Sequence, residues 1–162
     1  MTIGECISHG KDGAIFRICP DTVAKFYRSE ATSTLFDFNQ HKAYHEYSIA
    51  NLLYNNEISV PQPLDYKKIA VPQSNSPFSQ TNRGLHVPAF CMEHIDGERI
   101  DKLPITTYRK AMELRSHEMD KVRDLGVLPH DCAHPGNTLW SQDQERVYLI
   151  DFTTWLKPSH LN

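Results

Sequence analysis

The chain has little to offer a membrane or a polyanion. No stretch approaches the run of about eighteen apolar residues that a membrane-crossing helix needs, so no membrane span is expected. A basic excess is also missing: 17 Lys+Arg stand against 20 Asp+Glu, a formal net charge of -3 with the nine His neutral. Counterion release then has no charge to drive it, and a nucleic-acid partner is not expected. Cysteine is sparse. Cys6, Cys19, Cys91 and Cys132 are widely spaced, unlike the dense framework of a small secreted domain, and read as free thiols in a reducing compartment. Met1 to Glu5 shows no basic region leading into an apolar core and a cleavage site, so the expected location is cytoplasmic. Internal repeats are absent, and the only low-complexity stretch is the polar segment 72–84.

What is present is an ordinary globular balance: 162 residues, 40% hydrophobic, 10% aromatic and 23% charged. A chain of this length buries about two thirds of its unfolded surface, enough to stand without disulfides or a structural metal. One domain or two small lobes is the expectation.

Patterning orders the elements. Ile3 to Ile7, a turn through Gly10 and Gly13, and Ala14 to Ile18 read as strand, glycine turn, strand. After Pro20-Asp21, Thr22 to Tyr27 reads as a third strand whose alternation puts Val23, Lys25 and Tyr27 on one face. Residues 33–55 carry Ala43, Tyr47, Ala50 and Leu53 at helical spacing without Pro or Gly. Two strand-like runs follow, 64–71 and 85–92, on either side of the polar loop. His94 to Glu98 reads as a linker, and residues 106–125 as a second helix stopped by Gly126. A polar, His/Pro/Gly-rich stretch from Leu128 to Trp140 precedes a last strand, Arg146 to Ile150.

Gly10 and Gly13 could let backbone N–H groups approach phosphate oxygens, although two glycines in a strand turn are more often a plain hairpin. Asn137 and Asp151, an amide and a carboxylate on adjoining strands, are the donor types that hold magnesium against phosphates. His130 and His134 would share a face if helical and could then bind zinc, as in a metal-dependent hydrolase, but Pro129, Pro135 and Gly136 make that segment a poor helix.

Four stretches taken in order, Val23-Ala24-Lys25-Phe26, the helix bearing Glu46, Ala89 to Glu98, and His134-Pro135-Gly136-Asn137 followed by Asp151-Phe152, resemble the protein-kinase-like superfamily. The likeness is to its small-molecule branch of aminoglycoside phosphotransferases and choline kinases, and it runs from about Ile3 to Trp155. The resemblance implies an α+β kinase-like fold: an antiparallel N-lobe sheet with one helix at 1–93, and a reduced, mostly helical C-lobe at 94–162. It implies ATP and Mg2+ as cofactors and transfer of the γ-phosphoryl group to a hydroxyl acceptor. Lys25 would bridge phosphates to Glu46, 21 residues on. Met92 would border the adenine, with the Glu93 carbonyl and the Ile95 N–H reading its edge. Asn137 and Asp151 would hold the metal.

The pattern breaks in two places. The superfamily's catalytic Asp stands five residues before the Asn, where this chain has Cys132, with Asp131 one residue earlier. Either the base has become Cys132 and the chain is a pseudokinase, a nucleotide- or protein-binding module, or the loop carries one extra residue and Asp131 accepts the hydroxyl proton. The distance from Gly126 favours Asp131. The sequence also ends eleven residues after Asp151, with Thr153 in place of the usual Gly, so the expectation is a lobe that lacks most of the acceptor platform: either a protein partner holds the substrate, or the chain resembles a minimal kinase, or catalysis has ceased.

Overall fold

Gly13–Cys19 (β2) and Thr22–Tyr27 (β3) form an antiparallel hairpin with Phe16 opposite Ala24 and Ala14 opposite Phe26. The structure is a computed structural model and describes residues 4–9, 13–27, 35–70, 86–130 and 134–158. Gly10, Asp131 and Cys132 lie outside the described residues, as does the loop between the fourth and fifth strands. Cys6–His9 (β1) pairs with the outer edge of β2. That strand runs two residues nearer the turn than the pattern predicts, because Ser8 and His9 pair with Ile15 and Ala14.

Pro63–Ala70 (β4) and His86–Glu93 (β5) complete a five-stranded antiparallel sheet in the order β1-β2-β3-β5-β4. Alternation gives it two faces. On one, Ala14, Phe16, Ile18, Ala24, Phe26, Val87, Ala89 and Cys91 form a continuous core, with Phe16 and Phe26 packed edge to face at 5.8 Å. Each phenylalanine so buried contributes about 1.5–3 kcal/mol. The other face carries Lys25, Tyr27 and Phe90, and receives the helix Leu35–Asn55 (α1) through Glu46 and through Tyr47, whose ring meets Phe90 at 6.1 Å. Along α1, Ala43, Glu46, Ile49, Ala50 and Leu53 are all buried, the spacing of one helical face.

Contacts group the chain into two units, Met1–Ser48 with Pro63–His94, and Ile49–Gln62 with Ile95–Asn162. Residues 49–62 fall in the second unit, where Ser59 is held by several bonds. Its N–H donates to Glu118 Oε2 at 2.8 Å, its carbonyl accepts from Leu149 N at 2.9 Å, and its hydroxyl donates to the Val147 carbonyl while accepting from Arg146 Nε at 2.7 Å.

The second unit contains Ile105–Asp124 (α2), which has Lys121 and Arg123 in its last turn, where cations favour the helix dipole, and which ends at Gly126 with φ +78°. It also contains a short antiparallel sheet, Glu98–Arg99 (β6), Thr138–Ser141 (β7) and Arg146–Leu149 (β8), in that order. With only two residues, β6 is too short for a period to show, and it reads as linker for that reason. Ile100, Ala111, Trp140 and Val147 form the core between this sheet and α2. Among the described residues no helix is long and apolar enough to cross a membrane.

Candidate functional site

β3 carries Lys25 on the face that α1 covers, and α1 carries Glu46 on the face it buries, so two charged side chains meet inside the first unit. Lys25 Nζ lies 2.9 Å from both Glu46 Oε1 and Oε2. Lys25 is 7% exposed and Glu46 1%. A pair this dry costs desolvation that apolar residues would not incur, so its presence points to a use for the charge. A third group joins them: the Tyr27 hydroxyl donates to Glu46 Oε2 at 2.6 Å, and Lys25 Nζ lies 5.4 Å from the Tyr27 ring centroid. The period-two pattern puts Tyr27 on the face of Lys25, which is the only signal the sequence offers for it.

Gly13 stands opposite Tyr27 at the start of β2. A Cβ there would collide with the Phe26 carbonyl oxygen and lie 3.2 Å from Tyr27 Cα, so close approach of β3 already requires this glycine. At the other end of the sheet, Met92 is buried on β5 opposite Val23, Glu93 is half-buried opposite Thr22, and Ile95 is buried at the start of the second unit's last segment. The intervening His94 N–H donates to the Asp21 carbonyl at 2.9 Å, fixing the chain as it leaves β5.

In the second unit the pairing of β7 with β8 positions the other candidates. Thr138 faces Leu149, and the Ile150 N–H donates to the Asn137 carbonyl at 3.0 Å, so Asp151 falls one step beyond the residue opposite Asn137. The sequence reading has the two on adjoining strands; both stand just outside the strand ends. Asp151 has φ 65°, a left-handed backbone uncommon for any residue but glycine, though tolerated by Asp. Strain of this kind persists where its surroundings over-determine it, and it gathers at functional sites. Here Phe152 is buried against Trp155, ring centroids 4.9 Å apart, and the Thr153 hydroxyl donates to Asp151 Oδ1 at 2.6 Å. Thr153 thus uses the side chain that a glycine would lack.

The 3-10 turn Pro135–Asn137 presents Asn137. His134 Nδ1 accepts from the Gly136 N–H at 3.0 Å and caps the turn, Pro135 sets its first φ, and the Asn137 N–H donates to the His134 carbonyl at 3.1 Å. Gly136 is buried under Arg99: a Cβ there would collide with the guanidinium, which is held by Asp101 at 2.8 and 3.1 Å. That Arg99 bond holds the Asp101 carboxyl below its ordinary range. His134 has an extended backbone, φ -87° and ψ 111°, so it does not share a helix face with His130 as a zinc site would require. On the far side of residues 131–133, Leu128 and Leu156 exchange N–H···O bonds at 3.0 and 2.9 Å. The segment carrying Asp131 and Cys132 is therefore flanked by a bridge to the chain after Asp151 and by the turn that ends in Asn137.

Magnesium fits this donor set. It takes hard oxygen ligands, commonly one or two protein groups with the remainder from phosphate and water, and Asn137 and Asp151 offer an amide and a carboxylate on one pair of strand ends. Among the described residues no group of three His, Cys, Asp or Glu side chains could hold a metal ion.

No protein-family model and no curated protein matches the sequence. Solved structures do. The chain is similar to a Rio2 kinase from Chaetomium thermophilum, solved as an ADP/Mg2+-phosphoaspartate complex, with TM-score 0.64 and 14% identity, over 99% of this chain and 50% of that one. It is similar also to an Stt7 homolog from Micromonas algae soaked with ATP, with TM-score 0.61 and 15% identity, over 95% of this chain and 49% of that one. The fold is protein-kinase-like. The chain spans about half the length of these two structures, and at such identities the likeness concerns the fold alone.

Proposed function

We propose that this protein is an ATP- and Mg2+-dependent phosphotransferase of the aminoglycoside phosphotransferase and choline kinase type, passing the γ-phosphoryl group to a hydroxyl acceptor. The observation that carries the reading is the buried Lys25–Glu46 pair, bonded at 2.9 Å. In a kinase-like fold such a pair gives the phosphates a fixed positive end, because a lysine is a compact point charge and its carboxylate partner keeps it from swinging.

The remaining roles follow the chemistry of each group. Met92 borders the adenine, and the Glu93 carbonyl and Ile95 N–H read its edge; backbone groups serve well because strand ends hold them rigidly. Gly10 and Gly13 bring backbone near phosphate, Gly13 doing so in addition to its packing against β3. Asn137 and Asp151 would hold magnesium, which would supply positive charge beside the transferred group. Asp131 accepts the proton of the acceptor hydroxyl as its oxygen attacks phosphorus in line with the departing ADP oxygen. The solved Rio2 structure, an ADP/Mg2+ complex, supports this choice of cofactors.

A second reading has its own observation. Cys132 stands five residues before Asn137, and a thiol there would leave a nucleotide- or protein-binding module without turnover.

Thermal unfolding with ATP, with and without magnesium, tests the first reading. Ligand at about a hundred times its dissociation constant adds about 2.7 kcal/mol, several degrees for a domain of this size. Stabilisation by ATP that requires magnesium supports the site, and no shift under either condition sinks it. Magnesium-dependent binding with no release of ADP over a panel of alcohols and aminoglycosides selects the binding module.

A further inference from the structure

We propose that Tyr27 is a positioning residue for the phosphate-binding lysine, so that the device on β3 and α1 is a triad and not a pair. This rests on the phosphotransferase reading of Lys25 and deepens it.

The geometry has three parts. Glu46 lies on α1, buried, with both carboxylate oxygens 2.9 Å from Lys25 Nζ. Tyr27, wholly buried two residues beyond Lys25 on the same strand face, donates its hydroxyl to Glu46 Oε2 at 2.6 Å. Its ring lies beside the ammonium, 5.4 Å from centroid to Nζ. Backbone holds the phenol in place. Tyr27 is the last residue of β3 and pairs with Gly13, where the two strands approach too closely for any Cβ.

A carboxylate bound only by a lysine is poorly aimed, since the ammonium sits on a flexible four-carbon stem and its attraction has little direction. A phenol on a two-torsion side chain is rigid, and its O–H···O⁻ bond is short and directional. Tyr27 therefore sets the plane of the Glu46 carboxylate, and that plane sets where Lys25 Nζ comes to rest. The phenol is also neutral. It holds a Glu46 oxygen without competing with Lys25 as a cation, so the carboxylate stays aimed while the ammonium divides its N–H bonds between Glu46 and a phosphate oxygen. The ring face adds attraction that keeps the cation on the Tyr27 side.

The test is Tyr27→Phe, which keeps the ring and removes one oxygen. The readouts are the Lys25 Nζ resonance in protein labelled with 15N-lysine, assigned by its loss in Lys25→Arg, and ATP·Mg2+ affinity. The expected result is a shifted Nζ resonance with faster proton exchange in the absence of nucleotide, and a dissociation constant raised about tenfold. In a Glu46→Gln background the same substitution should have no further effect on ATP. An unchanged Nζ resonance, or an equal loss of affinity in the Glu46→Gln background, overturns the proposal. A fluorotyrosine at position 27 fills the same space with a stronger donor and should move the resonance the opposite way; if it does not, the proposal falls even where the phenylalanine variant fails to fold. Wild-type protein that ignores ATP while its Lys25 resonance still responds to position 27 overturns the phosphotransferase reading and leaves the triad standing.

Discussion

The Ile150 N–H donates to the carbonyl oxygen of Asn137 at 3.0 Å. That bond extends the β7–β8 pairing by one residue and brings the two candidate metal ligands to adjacent rungs, Asn137 on one strand end and Asp151 just past the other. The left-handed backbone at Asp151, φ 65°, then turns the chain away. Two short strands and one uncommon dihedral set the backbones of Asn137 and Asp151 at neighbouring strand ends.

Asp151→Asn should therefore separate binding from folding. Asparagine tolerates the left-handed region about as well as aspartate, and its amide oxygen can accept the Thr153 hydroxyl bond, so the melting temperature without ligand should stay within a few degrees. The added stability from ATP with magnesium should vanish, because a neutral amide is a poor ligand for a hard dication. Thermal unfolding with and without magnesium reads both, and an Asp151→Asn protein that keeps the full magnesium-dependent shift rules out Asp151 as the ligand.

The buried pair of the first unit makes an asymmetric prediction. Glu46→Gln leaves the Lys25 ammonium in a dry site without its carboxylate and should cost about 3–5 kcal/mol in urea unfolding. Lys25→Met removes the cation but leaves Glu46 with the Tyr27 donor, so its cost should be smaller. The double variant Lys25→Met/Glu46→Gln should be more stable than Glu46→Gln alone. A double variant as unstable as the two single losses added together would show that the residues do not interact.

His134 offers a test of the turn that presents Asn137. Its Nδ1 accepts the Gly136 N–H at 3.0 Å, a capping bond that asparagine can supply and alanine cannot. His134→Ala should cost about 1 kcal/mol and His134→Asn a fraction of that, with ATP·Mg2+ affinity following the same order. Equal losses in the two variants would mean that the imidazole serves some purpose other than its acceptor nitrogen.

Thiol chemistry provides the pH dependence. Burial pushes the Cys91 thiol from 9.0 up to about 11, and raises Cys6 as well, while Cys19 is exposed. A thiol reagent at pH 8 should label Cys19 at once and Cys91 only through unfolding. Because the folded value is raised, the contribution of Cys91 is fully present below pH 9 and is lost as pH climbs from 9 through 11, where the unfolded thiol ionises and the buried one resists; the loss over that interval is about 2–3 kcal/mol. Cys91→Ala should show a shallower decline across the same window by urea unfolding. Identical slopes would remove Cys91 from the account.

Where the sequence is legible, a period or a punctuating residue makes it so. The Val23, Lys25, Tyr27 alternation, the helical spacing of Ala43, Ala50 and Leu53, and the stop at Gly126 are local signals, and the strands and helices they mark lie within a few residues of expectation. The Lys25–Glu46 contact was legible only through family resemblance, since nothing local joins residues 21 apart. Two groups escaped for different reasons. Ser59 sits in a segment with no pattern, and its importance comes from bonds to residues 59 and 87 to 88 positions away. Arg99 is an exposed residue on a two-residue strand, and only the folded turn shows what it packs against.

That packing carries the last prediction. A Cβ on Gly136 would collide with the Arg99 guanidinium and stand 2.8 Å from His134 Nδ1, so Gly136→Ala must displace one of them. Arg99 is the easier to move, being half-exposed and held by an ion pair with Asp101 at 2.8 Å that is worth at most about 1 kcal/mol at a surface. The His134 ring cannot withdraw without releasing the Gly136 N–H. Gly136→Ala should then cost about 1–3 kcal/mol, the range for overpacking, and weaken ATP·Mg2+ binding through Asn137. Adding Arg99→Ala should restore part of the stability by vacating the guanidinium's place, and little of the affinity, since the contact with His134 remains. Urea unfolding and ATP titration of the single and double variants separate the two terms, and full recovery of both in the double variant would place the whole constraint on Arg99 and none on the cap.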